Sequence, residues 1–231
     1  MRNLLVLFLL VLTVSRCQQP LVYDPTDVAK YPAVFMYATG SGELRLLNVE
    51  YKGADTVYQV ERFGNIDICV FGTGMHDPKS EKKFNLEKIR EIMEVNYFGT
   101  MNSINSVYEY FSEKQNGQIS IISSVAGYRG LPAAGAYCAS KAALTSFAET
   151  LQFEMKRKNV RISLISPGFI KTPMTDQNDF PMPMIKSPEF AAEQIYIGLI
   201  KKKNFEIHFP KVFTYFLKFL SILPSSIYFK I

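Results

Sequence analysis

Apolar and polar positions along this chain repeat with two periods. Short runs rich in Val, Ile and Phe occur at 33–37, 44–49, 66–71, 118–123, 160–166 and 205–209. Each has the length and continuous apolarity of a strand covered on both faces. Between them, apolar positions recur at helical spacing over 54–62, 86–113, 135–157 and 188–201. Strands separated by helices need crossover connections, and right-handed crossovers build a parallel sheet with helices on both sides. The pattern predicts a single-domain α/β fold, a doubly wound parallel sheet of Rossmann type. Pro181-Met182-Pro183-Met184 falls in a connection of about twenty residues, long enough to act as a lid.

The last helix, over 211–223, carries its polar residues Lys211, Thr214, Lys218 and Ser221 at spacings of three, four and three, and Pro224 ends it. Those four form one narrow stripe, so the helix is expected to bury a wide apolar face. That face would cover the core or the substrate cleft, or meet a second copy of the chain; membrane contact is the alternative. At the other end, Met1-Arg2-Asn3 precedes an apolar run over 4–12 that has the form of a signal-peptide core. The same run also suits a first buried strand, which we favour. Pro20, Pro25 and Pro32 then interrupt any helix, so the first strand–helix unit is irregular. The chain divides into an atypical segment 1–32, a main domain 33–210, and a C-terminal helix and tail 211–231.

Composition changes this picture in two respects. A chain of 231 residues, 48% hydrophobic and 20% charged, is globular and fits one core. The net charge of +5 sits wholly in residues 201–231, where six lysines face Glu206 alone. A charge so confined argues for a local anionic contact and against nucleic acid as a partner. Cys17, Cys69 and Cys138, with His76 and His208, match no zinc spacing, so no metal site is expected. Three cysteines close no disulfide framework. Reduced core thiols predict a cytoplasmic protein, with a membrane-associated or secretory location as the alternative if the N-terminal run is a signal.

The chemistry concentrates around Tyr137-Cys138-Ala139-Ser140-Lys141. Tyr137 and Lys141 stand four apart on a predicted helix and share a face. An ammonium there is expected to pull the phenol below its usual value near ~10, readying it for proton transfer at neutral pH. Ser124 precedes Tyr137 by thirteen residues and closes an apolar strand. It therefore reaches the carboxyl edge of the sheet, where open α/β sheets bind ligands.

With Gly127, Gly130 and Gly135 between them, these residues resemble the short-chain dehydrogenase/reductase family. The likeness runs through 121–174, including Pro167-Gly168-Phe169-Ile170-Lys171-Thr172-Pro173, and upstream Val95-Asn96-Tyr97-Phe98-Gly99 is similar to the family's mid-helix asparagine motif. The resemblance implies NAD(P)-dependent oxidation or reduction of a secondary alcohol or ketone on a sheet of normally seven parallel strands. It further implies a small-molecule substrate and a homo-oligomer. Tyr137 would be the general acid/base and Ser124 would polarise the carbonyl. Lys141 would tune Tyr137 and hold the nicotinamide ribose, and Asn96 would order a water linking Lys141 to solvent. The loop from Pro167 and Gly168 to Thr172 would cover the nicotinamide, with Ile170 and Thr172 on its carboxamide. Asn48 and Val49 match the pair that touches the adenine.

Departures accompany the likeness. Phe71-Gly72-Thr73-Gly74 stands where the family has Asn-Asn-Ala-Gly, so only Gly74 is kept, and residues 1–32 contain no glycine where a Thr-Gly-x-x-x-Gly-x-Gly loop would hold the pyrophosphate. Thr39-Gly40-Ser41-Gly42 follows a strand but precedes another strand. A second expectation therefore stands beside the enzyme: a cofactor-deficient, catalytically inactive scaffold or regulatory protein.

Overall fold

The computed structural model describes residues 66–78 and 81–230 in full, and residues 33–38 and 44–49 as strands. One sheet of six strands runs through it in the order β2-β1-β3-β4-β5-β6. The strands are β1 (Ala33–Ala38), β2 (Leu44–Val49), β3 (Ile68–Phe71), β4 (Gly117–Ile122), β5 (Val160–Pro167) and β6 (Glu206–Phe209). From β3 to β6 all pairings are parallel. The sheet is not parallel throughout, however. β1 runs antiparallel to both β2 and β3, so the first unit is a hairpin, with Ala33 opposite Val49 and Tyr37 opposite Cys69. The predicted segments 54–62 and 1–32 lie outside the described residues, as does Cys17.

Two apolar layers sandwich the parallel strands, and strand alternation decides which side chain enters which layer. Cys69, Phe71, Ile119, Ile121, Ile162 and Leu164 point to one side. There they meet α2 (Gly99–Lys114) and α3 (Gly135–Lys156), while α1 (Leu86–Met93), joined to α2 by a π turn at Glu94–Phe98, packs against α3. Val70, Ile165, Ile207 and Phe209 point to the other side, against Ala191, Ala192 and Ile195 of α4 (Pro188–Tyr196). Both strand cysteine and helix cysteine, Cys69 and Cys138, are buried free thiols.

Local signals account for the helix ends. Asn85 caps α1 by accepting the Lys88 N–H at 3.1 Å. Ser187 does the same for α4 towards Phe190, with Pro188 in the first turn. The chain leaves α2 through Gln115 in a left-handed conformation and Gly117 at φ 131°. A Cβ on Gly117 would come within 2.3 Å of the Phe111 ring, so glycine alone fits there. Helix α3 has no side-chain cap of its own at Ala134.

The C-terminal helix α5 (Lys211–Ile222) packs beside β6, and the short α6 (Ser225–Tyr228) follows it, its Tyr228 hydroxyl donating to the Gly130 carbonyl. Much of the polar stripe anticipated on α5 turns inward rather than to solvent, with Lys211 left exposed. Thr214 is buried and shares a 2.6 Å hydrogen bond with His208 Nδ1, and Lys218 pairs with Glu206. Arg129 caps the end of α5 by donating to the carbonyls of Leu220, Ser221 and Leu223, and it lies 3.9 Å from the Tyr228 ring.

Candidate active site

The carboxyl ends of β3, β4 and β5 converge on one cleft. Ser124 stands two residues past β4, where its hydroxyl accepts the Ala126 N–H and caps a 3₁₀ turn at Val125–Gly127. That turn lies directly on α3, since a Cβ on Gly127 would fall 2.8 Å from the Lys141 carbonyl oxygen. Ser123 ties the same place by donating to the Lys141 carbonyl at 2.8 Å. These contacts press the Ser124 segment against the helical turn that carries Tyr137 and Lys141, and the Ser124 and Tyr137 hydroxyls hydrogen-bond to each other.

Asn96 sits in the π turn, fully buried. The turn leaves its carbonyl to the Thr100 hydroxyl, which donates at 2.8 Å. The Asn96 side chain accepts from Met75 N at 2.6 Å and donates to Met75 O at 3.0 Å and to Ser140 Oγ at 2.9 Å. It thus clamps the segment after β3 to α3, a fixing role that the sequence did not suggest.

Lys141 is buried, and its ammonium donates to the Ile122 carbonyl at 3.1 Å. Burial lowers it to about 8. The expected depression of the Tyr137 phenol is not found. Burial pushes it up to about 12, partly offset by the Ser124 hydrogen bond and reinforced by Cys138 and Glu81. Lys141 Nζ stands 5.8 Å from the Tyr137 ring centre and is engaged with Ile122, so its charge does not reach the phenol oxygen strongly enough to overcome desolvation.

Gly74, Ser124, Tyr137, Lys141, Pro167, Gly168, Ile170 and Thr172 together line a cavity of about 110 Å³. Asn96 lies behind it. Asn48 and Val49 belong to β2, whose direction matches β3, so they reach the same edge. The pairings set Val49 level with Thr73 across β1, about two strand spacings away. A second cavity of about 590 Å³ adjoins the first through Ser124 and Tyr137 and has largely apolar walls, among them Leu131, Phe169, Met174, Phe180, Phe213 and Leu217. The lid expected at 181–184 contributes Pro181 and Pro183 to it. At its base the lid is pinned by bonds between Lys186 and the backbone of Phe169 and Lys171.

Two residues here escaped the sequence. Glu81 accepts the N–H groups of Ala136 at 2.8 Å and Tyr137 at 3.1 Å, supplying from a distant segment the cap that α3 lacks. Its other oxygen meets His76 Nδ1 at 2.9 Å, and the His76 ring lies over Tyr137 with centroids 4.5 Å apart. A carboxylate only accepts, so the hydrogen of that bond sits on His76 Nδ1. The position of His76, two residues beyond Gly74 at the sheet edge, was the available signal. Nothing local marks Glu81.

A family model described as short chain dehydrogenase matches residues 51–181. An uncharacterized oxidoreductase of Myxococcus xanthus is 31% identical over 71% of this chain and 65% of its own length. A 3-oxoacyl-acyl-carrier-protein reductase of Thermotoga maritima is 32% identical over 62% of this chain and 56% of its own. The chain therefore spans between about half and two thirds of these curated relatives. Among solved structures, a short chain dehydrogenase from Burkholderia cenocepacia in complex with NADP superposes with a TM-score of 0.65 at 22% identity, over 78% of this chain and 74% of that one. One from Mycobacterium paratuberculosis bound to NAD gives 0.58 at 23%, over 69% and 71%. At these identities the structural likeness is one of fold.

Proposed function

The chain belongs to the short chain dehydrogenase family, and from that premise we propose that it is an oxidoreductase interconverting a ketone and a secondary alcohol with NAD or NADP. The convergence of Ser124, Tyr137 and Lys141 on one small cavity at the sheet edge carries this reading.

The residues present fit the nicotinamide end of such a cofactor. Gly74 keeps the cavity open where a Cβ would come within 3.3 Å of Lys141 Nζ. Lys141 would hold the ribose hydroxyls with its ammonium, and Thr172 and Ile170 would meet the carboxamide. The nicotinamide of a bound cofactor would supply or accept the hydride at the carbon that bears the substrate oxygen.

Every other requirement falls on the protein. With its phenol pushed up to about 12, Tyr137 carries its proton at neutral pH and is suited to give it to a carbonyl oxygen. The Ser124 hydroxyl, hydrogen-bonded to Tyr137, would donate to the same oxygen and hold it in line. Asn96 would fix the loop after β3 against α3, keeping Gly74 beside Lys141. The adjoining cavity of about 590 Å³ favours a substrate with a largely apolar body.

The test is a titration of the purified protein with NADH and with NADPH, followed by nicotinamide fluorescence, together with the Tyr137→Phe variant. Binding of at least one cofactor is expected. Tyr137→Phe should keep that binding and lose turnover by roughly 10²-fold or more, since only the transferable proton is removed. If neither cofactor binds, the enzyme proposal is overturned and the scaffold alternative, which the glycine-free segment 1–32 favours, takes its place.

A further inference from the structure

Helix α5 faces the opposite way from an ordinary amphipathic helix on a protein surface. Two of its polar residues, Thr214 and Lys218, point inward, because His208 and Glu206 on β6 claim them. The outward positions are Val212, Tyr215, Phe216, Phe219 and Ile222, which recur at helical spacing and make one face. Val212 is 71% exposed, Phe219 56% and Ile222 77%, and beyond Pro224 Phe229 is exposed at 81%. A continuous apolar stripe of this kind is not a stable boundary with water.

The charges around it select the occupant. Lys211 opens the helix and Lys230 closes the segment; Lys202 lies near enough to Lys211 to act on it electrostatically. Residues 211–231 contain no Asp or Glu, and Glu206 is already taken by Lys218. Two copies joined through this face would bring these lysines together without a carboxylate between them. An anionic lipid headgroup layer offers the opposite sign to the same lysines and a hydrocarbon boundary to the aromatic side chains. Among the described residues no helix is long and apolar enough to cross a membrane, so the geometry is that of a helix lying in the interface.

We propose that the outer face of α5 rests on an anionic membrane surface. The inner face of the same helix lines the apolar cavity with Phe213 and Leu217, so docking sets that cavity beside the bilayer. The inference stands on α5 and its lysines and does not depend on catalysis.

Sedimentation of the full chain with phosphatidylcholine vesicles, with and without phosphatidylserine, tests it. The protein should bind the mixed vesicles, bind the neutral ones far more weakly, and be released by salt. The double variant Phe216→Glu/Phe219→Glu changes exposed side chains only, so its thermal melt should match the wild type while vesicle affinity falls by about a hundredfold. Failure of the wild type to bind, equal binding to neutral vesicles, or undiminished binding by the folded double variant would each overturn the proposal; the last would assign binding to another segment. So would a concentration-dependent dimer that the double variant abolishes in the absence of vesicle binding, since the face would then be an interface between copies.

Discussion

Glu81 shows how one carboxylate can serve both a helix and a phenol. It occupies the N-terminus of α3, where two backbone N–H groups and the helix dipole favour a negative charge, and the same charge raises the Tyr137 phenol. Glu81→Gln keeps an acceptor but removes the charge. The basic limb of the kcat/KM profile should therefore move to lower pH, because the phenol loses its proton more readily, and stability should fall by about 1 kcal/mol. Profiles of the variant and wild type measured side by side check both; an unmoved basic limb would confine Glu81 to the helix cap. Tyr137, Lys141 and Ser124 were legible because four-residue spacing on a helix and a strand end are local facts. Glu81 was not, since it meets Ala136 only after the chain has passed through α1, α2 and β4. The direction of the phenol's shift was missed for a related reason: proximity of a cation can be read from spacing, whereas burial and the engagement of Lys141 with the Ile122 carbonyl cannot.

Element by element, the apolar runs located the four parallel strands within about two residues, because strands covered on both faces leave an unbroken signature. The reversed direction of β1 was hidden, since an antiparallel edge hairpin and a parallel strand use the same residues. Helix 86–113 was anticipated as one piece; the π turn within it, which buries Asn96, leaves no mark in the spacing of apolar positions. On α5 the stripe itself was correct and its orientation was not, as the polar groups on β6 that attract it lie on a different element. One junction gives a direct check on packing. Gly117→Ala would put a Cβ 2.3 Å from the Phe111 ring at φ 131°, and should cost about 2–4 kcal/mol in chemical denaturation without altering the cavity residues. A loss below about 0.5 kcal/mol would show that the α2–β4 turn relaxes freely.

Across the whole molecule, the bond between His208 and Thr214 ties the last helix to the edge of the sheet, and it responds to pH. Burial, followed by the charges of Lys218 and Lys211, lowers His208 from 6.5 to about 4, against a small opposing effect of Glu206. The unfolded chain takes up this proton first, so stability is complete above about 6.5 and declines as pH falls from there to about 4. His208→Gln retains a polar partner for Thr214 without the titration, and should flatten the loss seen between urea denaturations at pH 7 and pH 5. An unchanged pH dependence in the variant would place the titration elsewhere. The order of the sheet has a different consequence, one of timing. From β3 onward each strand pairs with the strand made just before it: Cys69 with Ile119, Ile119 with Ile162, Ile165 with Ile207. Each addition closes a loop of about forty to fifty residues, which a ribosome working at ~5–20 residues per second supplies every few seconds. The nascent chain can therefore lay its sheet down in the order of synthesis, always offering one open edge to the strand about to emerge.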